Sequence, residues 1–188
     1  MKPVVESKDF IQRLRQWDEA ALAEVYDTWA PAIYRYAYRL MGDPDSAQEI
    51  VAETFQRLLA ALKNGSGPDE NISAWLYRVA HNLAIDVYRK NSHHELVPLE
   101  ETHLPQADTG ESAYIQMEQA ARVRKALWKL TGDQRKVILL RYLEELSSEE
   151  TARILGKPVG AIKSLQHRAL SALRKHMVEE DIEANEYI

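Results

Sequence analysis

The chain of 188 residues contains no cysteine. That absence rules out a disulfide framework and any thiolate metal site. Glycine is scarce, with seven residues, and no glycine-rich loop follows a strand pattern as phosphate cradling would require. No run of about 18 apolar residues occurs, so no membrane span is expected. The opening Met1–Asp9 lacks the apolar core of a signal peptide, and the reading predicts a cytoplasmic protein. No two carboxylates share an apolar setting in which their proton affinities would be driven apart. His93 and His94 have no third ligand at useful spacing. The chain is therefore expected to bind no metal or cofactor and to be no enzyme.

Charge of one sign is missing from whole stretches. The net charge is −5, but it is −2 over residues 1–92, −5 over 93–115, +7 over 116–178 and −5 over 179–188. Only the third segment carries the positive excess that phosphate binding needs. The acidic segments around it oppose DNA binding by the chain alone, so a partner is expected.

What the sequence does have is helical periodicity. Ala20–Met41 is rich in Ala, Leu, Tyr and Arg, and Pro31 inside it marks a kink or a fresh helix start. Asp43-Pro44 predicts an N-cap followed by a first-turn proline. In the helix after it, Ile50, Val51, Thr54, Phe55, Leu58, Leu59 and Leu62 share one face, while Asp45, Gln48, Glu49, Glu53, Gln56 and Arg57 share the other. Asn64–Asn71 is a loop by its Gly, Pro and Asn content. Ser73 is placed to cap a helix over Ala74–Lys90. Residues 91–112 lose all periodicity and read as an extended acidic tether, longer than loops inside compact domains. A helix over Tyr114–Leu130 follows, then capping boxes at Thr131/Gln134 and Ser147/Glu150. No strand pair, repeat or low-complexity block is found. The fold class predicted is all-α: two small helical bundles, 1–92 and 116–178, joined by a linker over 93–115 and followed by an acidic tail over 179–188.

Ser147–His176 has the anatomy of a helix-turn-helix. Ala152 and Gly156 lie four apart, where a small residue permits close packing and a glycine permits a turn with positive φ. Ile162 and Leu165 face the preceding helix, while Gly160, Lys163, Ser164 and His167 face away. That short, polar, cationic outer face suits the DNA major groove; an ordinary helical hairpin with a solvated face is the plainer possibility.

Three stretches together resemble the sigma-70 family of bacterial RNA polymerase, and more narrowly its compact extracytoplasmic-function (ECF) group. They are Asp43–Leu58, Trp75–Lys90, and the helix-turn-helix with its lead-in Leu130–Arg135 and Leu139–Glu144. Thr151 stands where the family usually has an aliphatic residue, and Leu165-Gln166 where many members have Arg-Leu.

The resemblance implies a transcription initiation factor, monomeric in the holoenzyme, with core RNA polymerase and promoter DNA as partners. Asp45, Gln48, Glu49, Glu53, Phe55 and Gln56 would meet the β′ clamp helices, and the β flap is a further part of core polymerase that the resemblance implies as a partner. Asn71, Trp75, Arg78, Asn82, Asp86, Arg89 and Lys90 would recognise and melt the minus-ten element, the loop Asn64–Ile72 and Asn82 holding a flipped base. Trp75 has core packing beside Leu76 as its other role. Gly160, Ala161, Lys163, Ser164, Gln166, His167 and Arg168 would read the minus-thirty-five element. Arg168 can instead bond the preceding helix, and Arg135 and Lys136 can add backbone contacts. The acidic tether is similar to the linker that enters the polymerase channel, though its composition equally fits a spacer. Members of the group are commonly held by an anti-sigma protein. The rival reading is a stand-alone helix-turn-helix regulator, which would bind duplex DNA unaided and as a dimer.

Overall fold

A computed structural model describes residues 7–93 and 111–185. It is helical throughout, with no strand among the described residues: α1 (Lys8–Arg15), α2 (Glu19–Met41), α3 (Pro44–Lys63), α4 (Ile72–His93), α5 (Glu111–Lys129), α6 (Gly132–Ile138), a π-helical turn (Leu139–Leu143), α7 (Ser148–Leu155) and α8 (Val159–Asn185).

The local signals account for most of the boundaries. Asp43 caps α3 by accepting from the Ser46 amide at 2.8 Å, with Pro44 in the first turn. Both capping boxes form in full. Gly42 ends α2 in the left-handed region at φ +74°, where a side chain would be strained. Arg124 of α5 also lies over Gly42, so closely that a Cβ would strike its guanidinium.

Several expectations are corrected. No new helix begins at Pro31, because α2 runs through it; Ala32, Ile33, Tyr36 and Ala37 beyond it are buried against neighbouring helices, which hold the helix on course. Asn71, not Ser73, caps α4: its Oδ1 accepts from the Ala74 amide at 2.8 Å, and Ser73 Oγ donates to the same oxygen. The helices also reach further than the periodicity suggested. α4 runs to His93 and α5 begins at Glu111, so the tether narrows to residues 94–110, which lie outside the described residues. α8 carries the backbone of the acidic tail as far as Asn185.

The two modules also meet one another. The first is a bundle of α1–α4, and the second is built by α5–α8, yet one hydrophobic core runs through both. Tyr36, Leu40, Leu76, Tyr77 and Ala84 belong to the same buried cluster as Leu127, Leu130, Leu139 and Leu140. A smaller cluster of Val137, Ala152 and Ile162 sits under the helix-turn-helix. Composition predicted the separation of the two bundles along the chain, but not that their apolar faces fit one another.

The junction is apolar in outline with polar groups set into it. The Trp128 indole donates to the Leu40 carbonyl at 3.0 Å, and its ring stacks on Tyr88 at 3.7 Å between centroids. Arg35 pairs with Glu144 at 3.1 Å, where the Glu144 side chain is only 3% exposed. Burial raises the proton affinity of Glu144, while Arg35 and Arg39 oppose the rise. His81 Nε2 and Glu144 Oε1 are buried without a hydrogen-bond partner, an arrangement that costs about 1–3 kcal/mol for each such group.

Candidate nucleic-acid interface

Helix spacing gathers the first set of expected residues into a stripe. Asn71, Trp75, Arg78, Asn82, Asp86 and Arg89 follow one another at intervals of three or four, and Lys90 lies four after Asp86, so they share one face of α4 and its N-cap. Arg78, Asn82, Asp86, Arg89 and Lys90 are exposed, Asn71 is half-buried, and Trp75 is half-buried with its ring packed on the core. The stripe offers cations for phosphates and an amide for a base edge. Its aromatic, Trp75, is only partly free to stack, which suits both base stacking and core packing. Tyr88, outside the expected set, stands beside this stripe and is partly exposed. The signal for it was present: it is the one aromatic in the basic run Val87-Tyr88-Arg89-Lys90.

In the second module, Gly156 takes φ +61° and closes α7 with its amide reaching back along the helix. Pro158 precedes α8, which starts at Val159. Ile162 is fully buried and Leu165 packs beside it, so the opposite side of α8 must face outward. Gly160, Lys163, Ser164, His167 and Arg168 are exposed there, with Ala161 half-buried. Arg168 bonds within its own helix, to the Ser164 carbonyl at 3.4 Å, rather than to the preceding one.

Gln166 is placed differently from a free reader of bases. Arg141 Nε donates to its Oε1 at 3.2 Å, and its Nε2 donates to the Tyr142 hydroxyl at 2.7 Å. Arg141 is itself anchored on the Leu146 carbonyl. Both partners come from the π-helical turn, whose extra residue per turn changes which side chains face α8. No periodicity in the sequence announced that turn, and so the cluster was not visible. Thr151, the departure from an aliphatic, is fully buried with its hydroxyl unpartnered.

Arg135 must also be reassigned. It is 6% exposed and donates to the carbonyls of Leu127, Trp128 and Leu130 at 2.8–2.9 Å. These carbonyls lie at the end of α5, where intrahelical donors run out, though that of Leu127 also accepts from the Leu130 amide; the guanidinium lies 4.1 Å from the centre of the Trp128 ring. Arg135 is thus a cap for α5 and not a phosphate contact. Lys136 beside it is half-buried, and burial lowers its proton affinity.

The acidic face of α3 keeps Asp45, Gln48, Glu49 and Gln56 exposed. Glu53 is paired with Arg57 at 2.8 Å. Phe55 does not face outward: it is 8% exposed, with the Tyr26 ring 4.8 Å above it. Its position on the helix belongs to the apolar stripe, and the exposed apolar ring there is Tyr26, which is 51% accessible. Tyr26, Ala30, Tyr34 and Val51 line a groove of about 630 Å³ between α2 and α3. Among the described residues no three His, Asp or Glu side chains form a group that could hold a metal ion. No helix among them is long and apolar enough to cross a membrane.

Residues 25–94 match the family described as Sigma-70 region 2, and residues 126–175 match Sigma-70, region 4. The chain is 31% identical to the ECF RNA polymerase sigma factor SigW of Bacillus subtilis, over 90% of this chain and 96% of SigW. Among solved structures it resembles CnrH, determined in complex with the cytosolic domain of CnrY, with a TM-score of 0.65 at 21% identity, covering 94% of this chain and 99% of that one. It also resembles the sigma factor RpoE of Bartonella quintana, determined with the anti-sigma factor NepR, with a TM-score of 0.52 at 25% identity, covering 91% and 98%.

Proposed function

Because the chain belongs to the sigma-70 family, in its ECF group, and is a transcription initiation factor for RNA polymerase, we propose that its two modules divide the work of promoter recognition as follows. The acidic face of α3, with Asp45, Gln48, Glu49, Glu53 and Gln56, docks on the clamp helices of the β′ subunit. Charge of this kind orients and speeds encounter, while burial of the Tyr26 ring and the groove beside it supplies affinity; Phe55 acts from beneath by holding Tyr26 in place.

The stripe on α4 then binds the non-template strand of the minus-ten element. No catalytic side chain is required, since melting follows from tighter binding to single strand than to duplex. Unstacking one base costs a few kcal/mol, and one aromatic stack returns about 1–3 kcal/mol. Trp75 supplies the stacking edge, Asn82 and the loop before α4 the base pocket, and Arg78, Arg89 and Lys90 the phosphate contacts. The second module places the N-terminal part of α8 in the major groove of the minus-thirty-five element. Lys163 and Arg168 contact phosphate or guanine there, and Ser164 and His167 read base edges. Gln166 serves this face from behind.

Such a protein works in the cytoplasm, where core polymerase and promoters meet, as a monomer within the holoenzyme. An anti-sigma factor, as seen for the relative RpoE with NepR, is proposed as its restraint. The observation that carries the reading is the order of two matched regions, each of which presents its expected polar face to solvent. The test is to mix the purified chain with core polymerase and map transcription starts on genomic fragments. Start sites that depend on the chain are expected. Failure to join core, with tight unaided binding to paired operator half-sites, would instead identify a stand-alone regulator.

A further inference from the structure

We propose that Arg15 is a positioning residue for base capture, holding the loop before α4 through Asp69 in the shape that tells one base from another; this rests on the assignment of that loop to the base pocket. Arg15 lies ahead of the matched region, which begins at residue 25, and closes the last turn of α1. Its guanidinium donates to Asp69 Oδ1, 54 residues further along the chain. Most of the loop is fixed by its own neighbours. The Gly65 amide donates to the Leu62 carbonyl at 3.1 Å, and the Ser66 amide to the Ala61 carbonyl at 2.8 Å. Gly67 packs against Leu62, Pro68 is buried, and Asn71 caps α4. Between Pro68 and Asn71 stand Asp69 and Glu70, both exposed, and Arg15 ties down the first of them.

The place from which Arg15 reaches is itself fixed. Phe10, Ile11 and Leu14 bury α1 in the core that also holds Leu62 and Ile72, on either side of the loop. After α1 the chain turns sharply. The Trp17 amide donates to the Leu14 carbonyl and the Asp18 amide to the Arg13 carbonyl, both at 3.1 Å. Trp17 takes φ +60° there, at a helix end where glycine is usual. A bulky residue keeps such a backbone only where its surroundings impose it. Asp18 does so, pairing with Arg13 at 3.0 Å and accepting from the Ala21 amide at 2.8 Å. An exposed ion pair by itself is worth at most about a fivefold shift in an equilibrium, so Arg15 tunes the loop and does not hold up the fold. Charge adds a second effect. Residues 64–71 carry two carboxylates and no cation, a poor match for the phosphates of a strand, and Arg15 neutralises one of them.

The test titrates holoenzyme, assembled from the full chain and core polymerase, with single-stranded oligonucleotides. These carry the mapped minus-ten sequence with each of the four bases in turn at every position. The parental holoenzyme should prefer one base at the captured position. Arg15→Ala should lower that preference about two- to fivefold, within the reach of an exposed pair, and leave association with core unchanged. Asp69→Asn removes a charge that repels the strand, so it should tighten binding of all the oligonucleotides while lowering the preference by a similar factor. The exchange of Arg15→Asp with Asp69→Arg should bring the preference back towards the parental value, as a general loss of stability would not. Unchanged preference in Arg15→Ala would overturn the inference, and so would an exchange no better than Arg15→Asp alone. A parental holoenzyme that binds the strand with no base preference would refute base capture itself, and the inference with it.

Discussion

Tyr36 and His81 share a buried hydrogen bond, Oη to Nδ1 at 2.8 Å, with the His81 ring enclosed between α2 and α6. Burial, reinforced by Lys136 and Arg135, depresses the proton affinity of His81 to about 3, with Asp133 opposing.

The depressed value makes stability depend on pH. Above the ordinary histidine value of 6.5 the ring is neutral in both states, and the closed fold keeps its full stability. As pH falls from about 6.5 towards 3, the unfolded chain binds a proton that the native ring refuses, and stability is lost, by on the order of a few kcal/mol in all. Glu144, shifted upward, works in the opposite direction and softens the slope. Urea unfolding at pH 7.5 and pH 5 should show a larger loss for the parent than for His81→Gln; equal losses would count against this account.

Replacing Arg135 by Ala removes three hydrogen bonds to carbonyls at the end of α5, of which only the Leu127 carbonyl keeps another donor in the Leu130 amide, and takes the cation from the Trp128 ring. A loss of about 2–4 kcal/mol is expected. Arg135→Lys should recover little of it, because an ammonium cannot span three acceptors as the planar fork does. Thermal melting of the three proteins decides the matter, and a fully rescuing lysine would refute the capping role.

Lys163→Ala should weaken holoenzyme binding to the minus-thirty-five element by about 1–3 kcal/mol while leaving association with core unchanged. Gel-shift titration and core pull-down measure the two separately. Loss of core binding would break the proposed division of labour.

Gln166→Ala should behave differently from Lys163→Ala. With both amide groups held by Arg141 and Tyr142, Gln166 positions α8, so its loss should lower affinity about equally across promoter variants. Relaxed preference at a single base pair, measured on a panel of substituted upstream elements, would show it to be a reader after all.

Trp75→Ala should reduce the ratio of open to closed promoter complexes about tenfold or more, from the loss of one stack. Permanganate reactivity of minus-ten thymines, normalised to closed complex, is the measurement. An unchanged ratio would leave Trp75 as a core residue alone, as its packing already allows.

The amino-acid sequence determined the elements. Helical periodicity, the Asp43-Pro44 start, the two capping boxes and the Gly156 turn are local effects, set within three or four residues, and each appears where the residues require it. The same spacing put the α4 stripe and the outward face of α8 together, because neighbours at intervals of three and four share a helix face whatever surrounds them. Tertiary structure decided what lies between the modules. Whether Phe55 faces a partner or the core, whether Arg135 meets phosphate or three carbonyls, and whether Gln166 is free depended on side chains remote in sequence or brought near by an unannounced π-helical turn. The meeting of Trp128 with Tyr88 and Leu40 lies 40 and 88 residues away along the chain. Apolar faces carry no label for their partner, since the hydrophobic effect is non-directional; only the complementary shapes of the two bundles select one pairing.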